Sequence, residues 1–314
     1  MKAVAVNHFG ELPEVVEVTT PTADPGQVLI RLVAASINPM DAKLASGEWR
    51  PAPALFPMVL GVDGAGYVEA TGDGEATFAQ GDKVFGQLFI PPIGSTGTYA
   101  EYVAVSAQAP LTWVPDGLDL ALAASAPTAG GTGLSLIDLL DPLQDQVVLL
   151  IGAGGGVGTF ASQFAVNAGA SVIANINAED ADRMLSYGVS ETVVRSERSL
   201  TDVVRASHPE GIDVVIDLVS DATGFARTSA LVRPGGVAIT TQYVADLEAL
   251  QSSGVRGVNF ALRTTRELIE RVGHALAEHA VLPPPISRIK LEDVPATFGP
   301  QSPSRGGCKT IIIL

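Results

Sequence analysis

Val147-Val148-Leu149-Leu150-Ile151-Gly152-Ala153-Gly154-Gly155-Gly156-Val157-Gly158 decides the reading of this 314-residue chain. An apolar run suited to a strand buried on both faces meets a cluster of glycines, and a segment rich in small residues then runs to Ala168. A G-x-G-x-x-G pattern means little alone. Between a buried strand and a helix it is the turn of a dinucleotide-binding βαβ unit. Small residues let the chain turn tightly, let backbone approach a pyrophosphate, and let the helix pack on the sheet, while the helix start offers free N–H groups to the phosphates. Two registers are open, one starting at Gly152 and one at Ala153. The second is better, because it puts Gly158 where helix and strand must pack. Ala153, Gly154, Gly155, Gly156 and Val157 are thus the first cofactor-binding candidates.

Downstream, strands and helices alternate. Ser171–Ile176, Thr192–Arg195, Val214–Val219, Val237–Thr241 and Gly257–Phe260 read as strands. Gly156–Ala168, Glu179–Tyr187, Leu200–Ser207, Phe225–Leu231 and Thr265–His279 read as helices. Such alternation calls for a doubly wound parallel sheet with helices on both faces. An enzyme using NADH usually carries an acid about 20 residues beyond the turn, at the second strand's tip. Here the tip reads Ala174-Asn175-Ile176-Asn177, with Glu179 and Asp180 following. Asn175, Asn177 and Arg183 are therefore candidates for a 2′-phosphate, with Arg195 as a further partner, and NADPH is favoured over NADH. Val219, Thr240, Thr241, Phe260 and Leu262, at or just past later strands, complete the cofactor candidates.

The first third is β-rich, with short strands at Val4–Val6, Val28–Val33, Tyr67–Ala70, Lys83–Phe85 and Tyr99–Val105 between Gly/Pro/Asp turns. Asp119 to Ala126 is helix-prone, Gly130–Gly133 interrupts it, and Leu134–Leu140 resumes as helix. Pro283-Pro284-Pro285 stops the last helix. The tail is β-like again in Ile286–Leu291 and Thr310–Leu314, so it is expected to rejoin the first domain. The division expected is residues 1–117 with 283–314, and 118–282 for the cofactor domain.

The formal net charge of -15 argues against nucleic acid. No apolar run reaches the roughly 20 residues of a membrane helix, and the start lacks signal-peptide features, so a cytoplasmic protein is expected. The single cysteine, Cys308, excludes an internal disulfide and multi-cysteine metal sites, and packing is its expected role.

On these residues the chain resembles the medium-chain dehydrogenase/reductase superfamily, in its zinc-independent quinone oxidoreductase branch. Besides the Ala-first glycine turn, Ser36–Lys43 is similar to an NPxD stretch and Val59–Val68 to a GxDxAGxV stretch. Gln80–Val84 and Gly97–Tyr102 are similar to further signatures. The resemblance implies a GroES-like first domain completed by the tail, a Rossmann domain set within it, NADPH in the cleft between them, and homodimers paired through Gly257–Phe260. Gly61-Val62-Asp63 stands where zinc-dependent relatives carry Gly-His-Glu, and His8, His208, His274 and His279 are scattered. No metal is expected.

Without a Lewis acid, an already conjugated substrate suits the chain: a quinone, an enone or an enoyl thioester. By match to the family stretch, Asn38 and Asp41 are catalytic candidates, and Thr128 joins them because the resemblance puts it at the interdomain crossing, where the branch contacts the nicotinamide side. Thr132 lies beside Thr128 on a stretch richer in glycine than the family's. Tyr99 and Tyr102 are read as structural, and Asp63 as an acid holding the local fold. Lys309 follows a late Gly-Lys position, with an extra residue in Gly306–Lys309. The activity expected is hydride transfer from NADPH to a quinone or α,β-unsaturated carbonyl. The alternatives are an enoyl reductase dedicated to a polyketide-type intermediate and a non-catalytic NADPH-binding protein.

Overall fold

In the computed structural model, residues 1–74, 77–89, 93–94, 96–195, 199–299 and 307–314 are described. The chain opens with strands β1 (Lys2–Val6), β2 (Glu14–Glu17) and β3 (Gln27–Ser36), then helix α1 (Pro39–Ser46). Strands β4 (Met58–Val59), β5 (Asp63–Thr71), β6 (Lys83–Gln87), β7 (Tyr102–Ser106) and β8 (Leu111–Trp113) follow, with helices α2 (Leu120–Ala124) and α3 (Pro127–Leu140) after them. The alternating block begins with β9 (Val147–Ile151), α4 (Gly156–Asn167), β10 (Ser171–Ile176), α5 (Ala181–Ser186), β11 (Glu191–Val194) and α6 (Leu200–Ser207). It continues with β12 (Ile212–Asp217), α7 (Ala222–Ser229), β13 (Val232–Thr240), α8 (Leu247–Ser252) and β14 (Arg256–Asn259). Helix α9 (Arg266–Ala277) and strands β15 (Ile286–Lys290) and β16 (Lys309–Ile313) come last.

Two compact units result, residues 1–131 with 264–314, and residues 132–263. Residues 118–131 and 264–282, expected with the cofactor domain, pack with the first unit. In that unit the long strand β3 pairs antiparallel with β5, and along its other edge with β7 and then β16. Its alternating burial, with Val28, Ile30, Leu32 and Ala34 inward, is what a half-buried strand requires. The tail thus rejoins the first domain, as expected, and β16 brings Lys309 to the end of β3.

In the second unit six parallel strands, among the described residues, run in the order β11-β10-β9-β12-β13-β14. The apolar run at β9 sits centrally, with Val148, Leu149 and Leu150 fully buried. An antiparallel GroES-like unit and a parallel Rossmann unit make the fold α/β.

Several local readings need correction. Helix α3 runs unbroken through Gly130–Gly133. Each glycine costs a helix roughly 1 kcal/mol relative to alanine, but here packing outweighs propensity. A Cβ on Gly133 would lie 2.9 Å from both Ala161 N and Phe160 Cβ on α4. Strand β12 ends at Asp217 rather than Val219, because the Asp217 carboxylate accepts the N–H groups of Val219 and Ser220 and turns the chain. Helix α8, not expected, starts at Asp246, whose side chain accepts Ala249 N–H. Strand β2 was also not expected as an element.

Candidate functional site

In the second unit the strand register lines up Asn175, Ile151, Asp217, Thr240 and Asn259 across the sheet. The residues just beyond form one carboxyl rim. The chain winds outward from β9 through β10 to β11, then returns to β12 beside β9. The reversal between β9 and β12 is where ligands of such sheets bind. Both flanking turns carry candidates: Ala153–Val157 follow β9, and Val219 follows β12 with its side chain over Gly152, where a Cβ would meet it at 2.9 Å.

The glycine turn is shaped by contact. A Cβ on Gly158 would stand 2.3 Å from Gly152 O and 2.5 Å from Ala153 Cα, so helix α4 packs on its strand only without one. This is the packing role the Ala153 register assigned to Gly158. Gly155 is the N-cap of α4, no side chain caps that end, and no acid sits in its first turn. Gly155 is exposed, with Gly156 and Val157 half-buried. An uncapped, open helix start with an exposed glycine fits a dinucleotide pyrophosphate.

The other candidates divide. Thr240 is buried and its hydroxyl accepts Gln242 N–H. Thr241 donates its hydroxyl to Leu218 O, and Phe260 N–H bonds Thr240 O, which fixes both residues on the rim. Leu262 lies half-buried just beyond. Asn175 is buried and spends its amide on Val193 O, holding β10 to β11. Asn177 is half-buried at the strand tip. Arg183 is committed to protein: Nη1 donates to Thr159 Oγ1 at 2.9 Å, and Nη2 to Gly154 O at 3.0 Å and to the Asp180 carboxylate. The acid missing from the strand tip thus arrives from the next turn, folded back onto Gly154, while Arg195 is exposed at the end of β11.

In the first unit, Asn38, Asp41 and Thr128 converge on one buried polar cluster, and Asp63 is its hub. The Asp63 carboxylate accepts Asn38 Nδ2 at 3.0 Å, Thr128 Oγ1 at 2.7 Å and Thr128 N–H at 3.1 Å, with Ser36 Oγ at 3.4 Å. Asn38 precedes α1, but its side chain turns from the helix to Asp63 and Ser36 O. Asp41, in the first turn, reaches back to accept Asn38 N–H at 2.7 Å and also accepts Tyr99 Oη at 2.7 Å. Lys309 inserts from β16 and donates Nζ to Ile37 O at 2.9 Å and to Asn38 Oδ1. Gln87 Nε2 donates to Thr128 Oγ1 at 3.0 Å.

Asp63, Lys309, Tyr99, Gln87 and Ser36 are members that sequence reasoning did not take as site residues. For Lys309 there was a signal: a lysine heading the apolar run Thr310–Ile313, where a solvated charge is out of place. Gly306, part of the same stretch, lies outside the described residues.

The electrostatics follow from burial. Asp41 and Asp63 are fully buried with one lysine between them. Burial pushes the Asp41 carboxyl up to about 7, against the hydrogen bonds from Tyr99 and Asn38, and its Oδ1 has no partner among the described residues. Burial likewise raises Asp63, opposed by Lys309, Thr128 and Asn38. Burial lowers Lys309, opposed by both acids. Burial and Asp41 hold the Tyr99 hydroxyl far above its usual range, so it stays protonated and donates. Since the Thr128 hydroxyl gives its proton to Asp63, it faces other groups as an acceptor.

An antiparallel unit completed by the chain's tail, with a glycine-turn Rossmann unit inserted, is the architecture of the medium-chain dehydrogenases and reductases. Residues 24–116 match the family described as alcohol dehydrogenase GroES-like domain, and residues 156–265 the family described as zinc-binding dehydrogenase. The quinone oxidoreductase of Sus scrofa is 33% identical over 228 residues, covering 70% of this chain and 67% of that protein. The pikromycin polyketide synthase component PikAII of Streptomyces venezuelae is 34% identical over 263 residues, covering 81% of this chain but 7% of that protein. The Escherichia coli quinone oxidoreductase, solved in complex with NADPH, superposes with a TM-score of 0.86 over 100% of both chains at 22% identity. The chain belongs to the quinone oxidoreductase family of the medium-chain dehydrogenase/reductase superfamily, and is an oxidoreductase.

Proposed function

We propose that this oxidoreductase uses NADPH to reduce quinones or α,β-unsaturated carbonyls without zinc. The observation that carries the reading is the uncapped start of α4 at Gly155, at the strand-order reversal. NADPH, when bound, supplies a hydride. Ala153–Val157 would hold its pyrophosphate by backbone N–H groups. Val219, Thr240, Thr241, Phe260 and Leu262 would border the dinucleotide along the rim. The tip of β10, with Asn177 and no acid of its own, supports a 2′-phosphate, as does the NADPH complex of the Escherichia coli relative.

The donor set supports a metal-free reaction. Asp63 is committed to Asn38 and Thr128, Asp41 is committed through one oxygen to Asn38 and Tyr99, and Cys308 is exposed. No group of three His, Cys, Asp or Glu residues among the described residues has metal-holding geometry. A substrate whose negative charge spreads over a conjugated carbonyl needs only orientation and hydrogen bonds. Asn38, Asp41 and Thr128 are assigned to that support. In this role Asp63 positions Thr128, and Tyr99 positions Asp41.

The test is loss of the nicotinamide absorbance band with simple quinones and enones, run with NADPH and NADH and with a chelator present. Turnover that needs added zinc, or no turnover across the panel despite cofactor binding, overturns the reading. The match to the polyketide synthase component favours a second reading, an enoyl reductase for one biosynthetic thioester. Activity confined to enoyl thioesters would select it. We also infer a homodimer paired through the sheet edge β14, which size-exclusion chromatography checks. The cytoplasm, where reduced nicotinamide is available, is the location in keeping with this role, and cell fractionation tests it.

A further inference from the structure

We propose that Asp180 keeps the preference for NADPH over NADH small, by holding Arg183 away from the cofactor's 2′ position. The inference rests on the cofactor reading above and deepens it. In a Rossmann unit the adenosine ribose lies beside the glycine turn at the tip of the second strand. Here that tip is the end of β10, and the segment leaving it folds back onto the turn. The Asp180 carboxylate is pressed against Gly154, where an ideal Cβ would lie 2.2 Å from Asp180 Oδ2. Asp180 and Arg183 are ion-paired one helical turn apart, with side chains 5% and 16% exposed.

A guanidinium has five donors in a fixed plane. Arg183 spends both Nη2 hydrogens, on Asp180 and on Gly154 O, and one Nη1 hydrogen on Thr159. It also lies over the Tyr187 ring, 5.9 Å from its centroid. The cation best placed to meet a 2′-phosphate is therefore turned inward, bracing the turn, with its charge neutralised by a neighbour. Glu179 precedes the pair and Asp182 lies between its members on the same short segment. A dianionic 2′-phosphate therefore gains no free guanidinium from this segment, whose net charge is acidic. Asp180 sets specificity through Arg183. In its absence the guanidinium is free to turn outward, and one negative charge is gone.

The experiment is calorimetric titration of the full chain with AMP and with adenosine 2′,5′-bisphosphate. The proteins are wild type, Asp180→Asn and the double variant Asp180→Asn with Arg183→Leu. Wild type is expected to bind the two nucleotides within about tenfold of each other. Asp180→Asn is expected to tighten the bisphosphate about 10- to 100-fold, the worth of a new charge-assisted hydrogen bond, with AMP little changed. The double variant is expected to lose that gain. AMP is the control for the turn itself, since a merely structural loss would weaken both nucleotides together. An unchanged ratio in Asp180→Asn, or a gain that survives without Arg183, overturns the inference and leaves the cofactor reading standing. So does a wild-type preference for the bisphosphate above about 100-fold, which needs no variant to fold. Binding of neither nucleotide by wild type overturns the dinucleotide reading, and the inference with it.

Discussion

The glycine turn of the second unit and the polar cluster of the first are opposite solutions to placing charge. The turn works with backbone: an open helix start at Gly155, no capping side chain, and small residues where anything larger would collide. The cluster works with side chains: two carboxylates, an ammonium, a phenol and an amide, sealed from solvent and hydrogen-bonded to one another. Backbone dipoles are fixed in the fold and do not titrate, so the turn's anion affinity is indifferent to neutral-range pH. The cluster draws its rigidity from a balance of charges that protons can shift. A site for a constant anion suits the first device, and a support for reacting groups suits the second.

The comparison breaks most visibly at Asp63. Asp63→Ala strips the acceptor from Asn38 and Thr128 and leaves Lys309 facing Asp41 alone. A loss of about 3–5 kcal/mol is expected in chemical denaturation. A loss below about 1 kcal/mol would mean the cluster is not held together by its charges.

Asp41 sharpens the contrast in pH. Its carboxyl titrates at about 7 in the folded protein against an ordinary 3.8. Between those values only the folded state holds the proton, so stability falls as pH rises across the window. The raised Asp63 contributes with the same sign. Asp41→Asn should flatten the fall by up to about 4 kcal/mol, measured as denaturation midpoints from pH 4 to 8. An equally steep variant would assign the slope elsewhere.

At the turn the expected effect is smaller in stability and sharper in binding. Gly158→Ala drives a Cβ into Gly152 O and Ala153, costing about 1–3 kcal/mol, with nucleotide affinity falling alongside it. Retained affinity would show that the close packing of α4 is not what presents the phosphate site. Cys308, exposed beside buried Lys309, marks the lower end. Cys308→Ser should change stability by less than about 0.5 kcal/mol and leave turnover unchanged. A larger effect would extend the cluster to the thiol.

How legible each region was follows from the same contrast. The turn is written in consecutive residues because a close backbone approach limits every position, so strand, turn, helix and even the register starting at Ala153 could be read from Val147–Gly158. The parallel sheet followed from periodicity. Helix α3 did not, because local propensity counts the cost of Gly130, Gly131 and Gly133, and only the partner helix α4 shows the benefit of Gly133. The cluster was legible in part. Asn38 and Asp41 were found by a family stretch and Thr128 by the place the resemblance gives it, yet what joins them comes from β5, from the Tyr99 segment and from β16, far along the chain. The return of Asp180 onto Gly154 was likewise invisible, being a matter of where a short turn points.

Strand β16 has a consequence for how the molecule is made. It pairs with β3 and delivers Lys309 to the cluster, but the ribosome reaches it only after the whole of residues 132–263. The inserted unit can fold while synthesis continues, as domains generally do. The earlier unit must wait, its two acids buried or half-formed without their ammonium, until the returning strand supplies it. Assembly of the first unit thereby waits on the unit inserted within it, and a ribosome halted before Lys309 would release a chain whose nucleotide-type unit is finished and whose first unit is not.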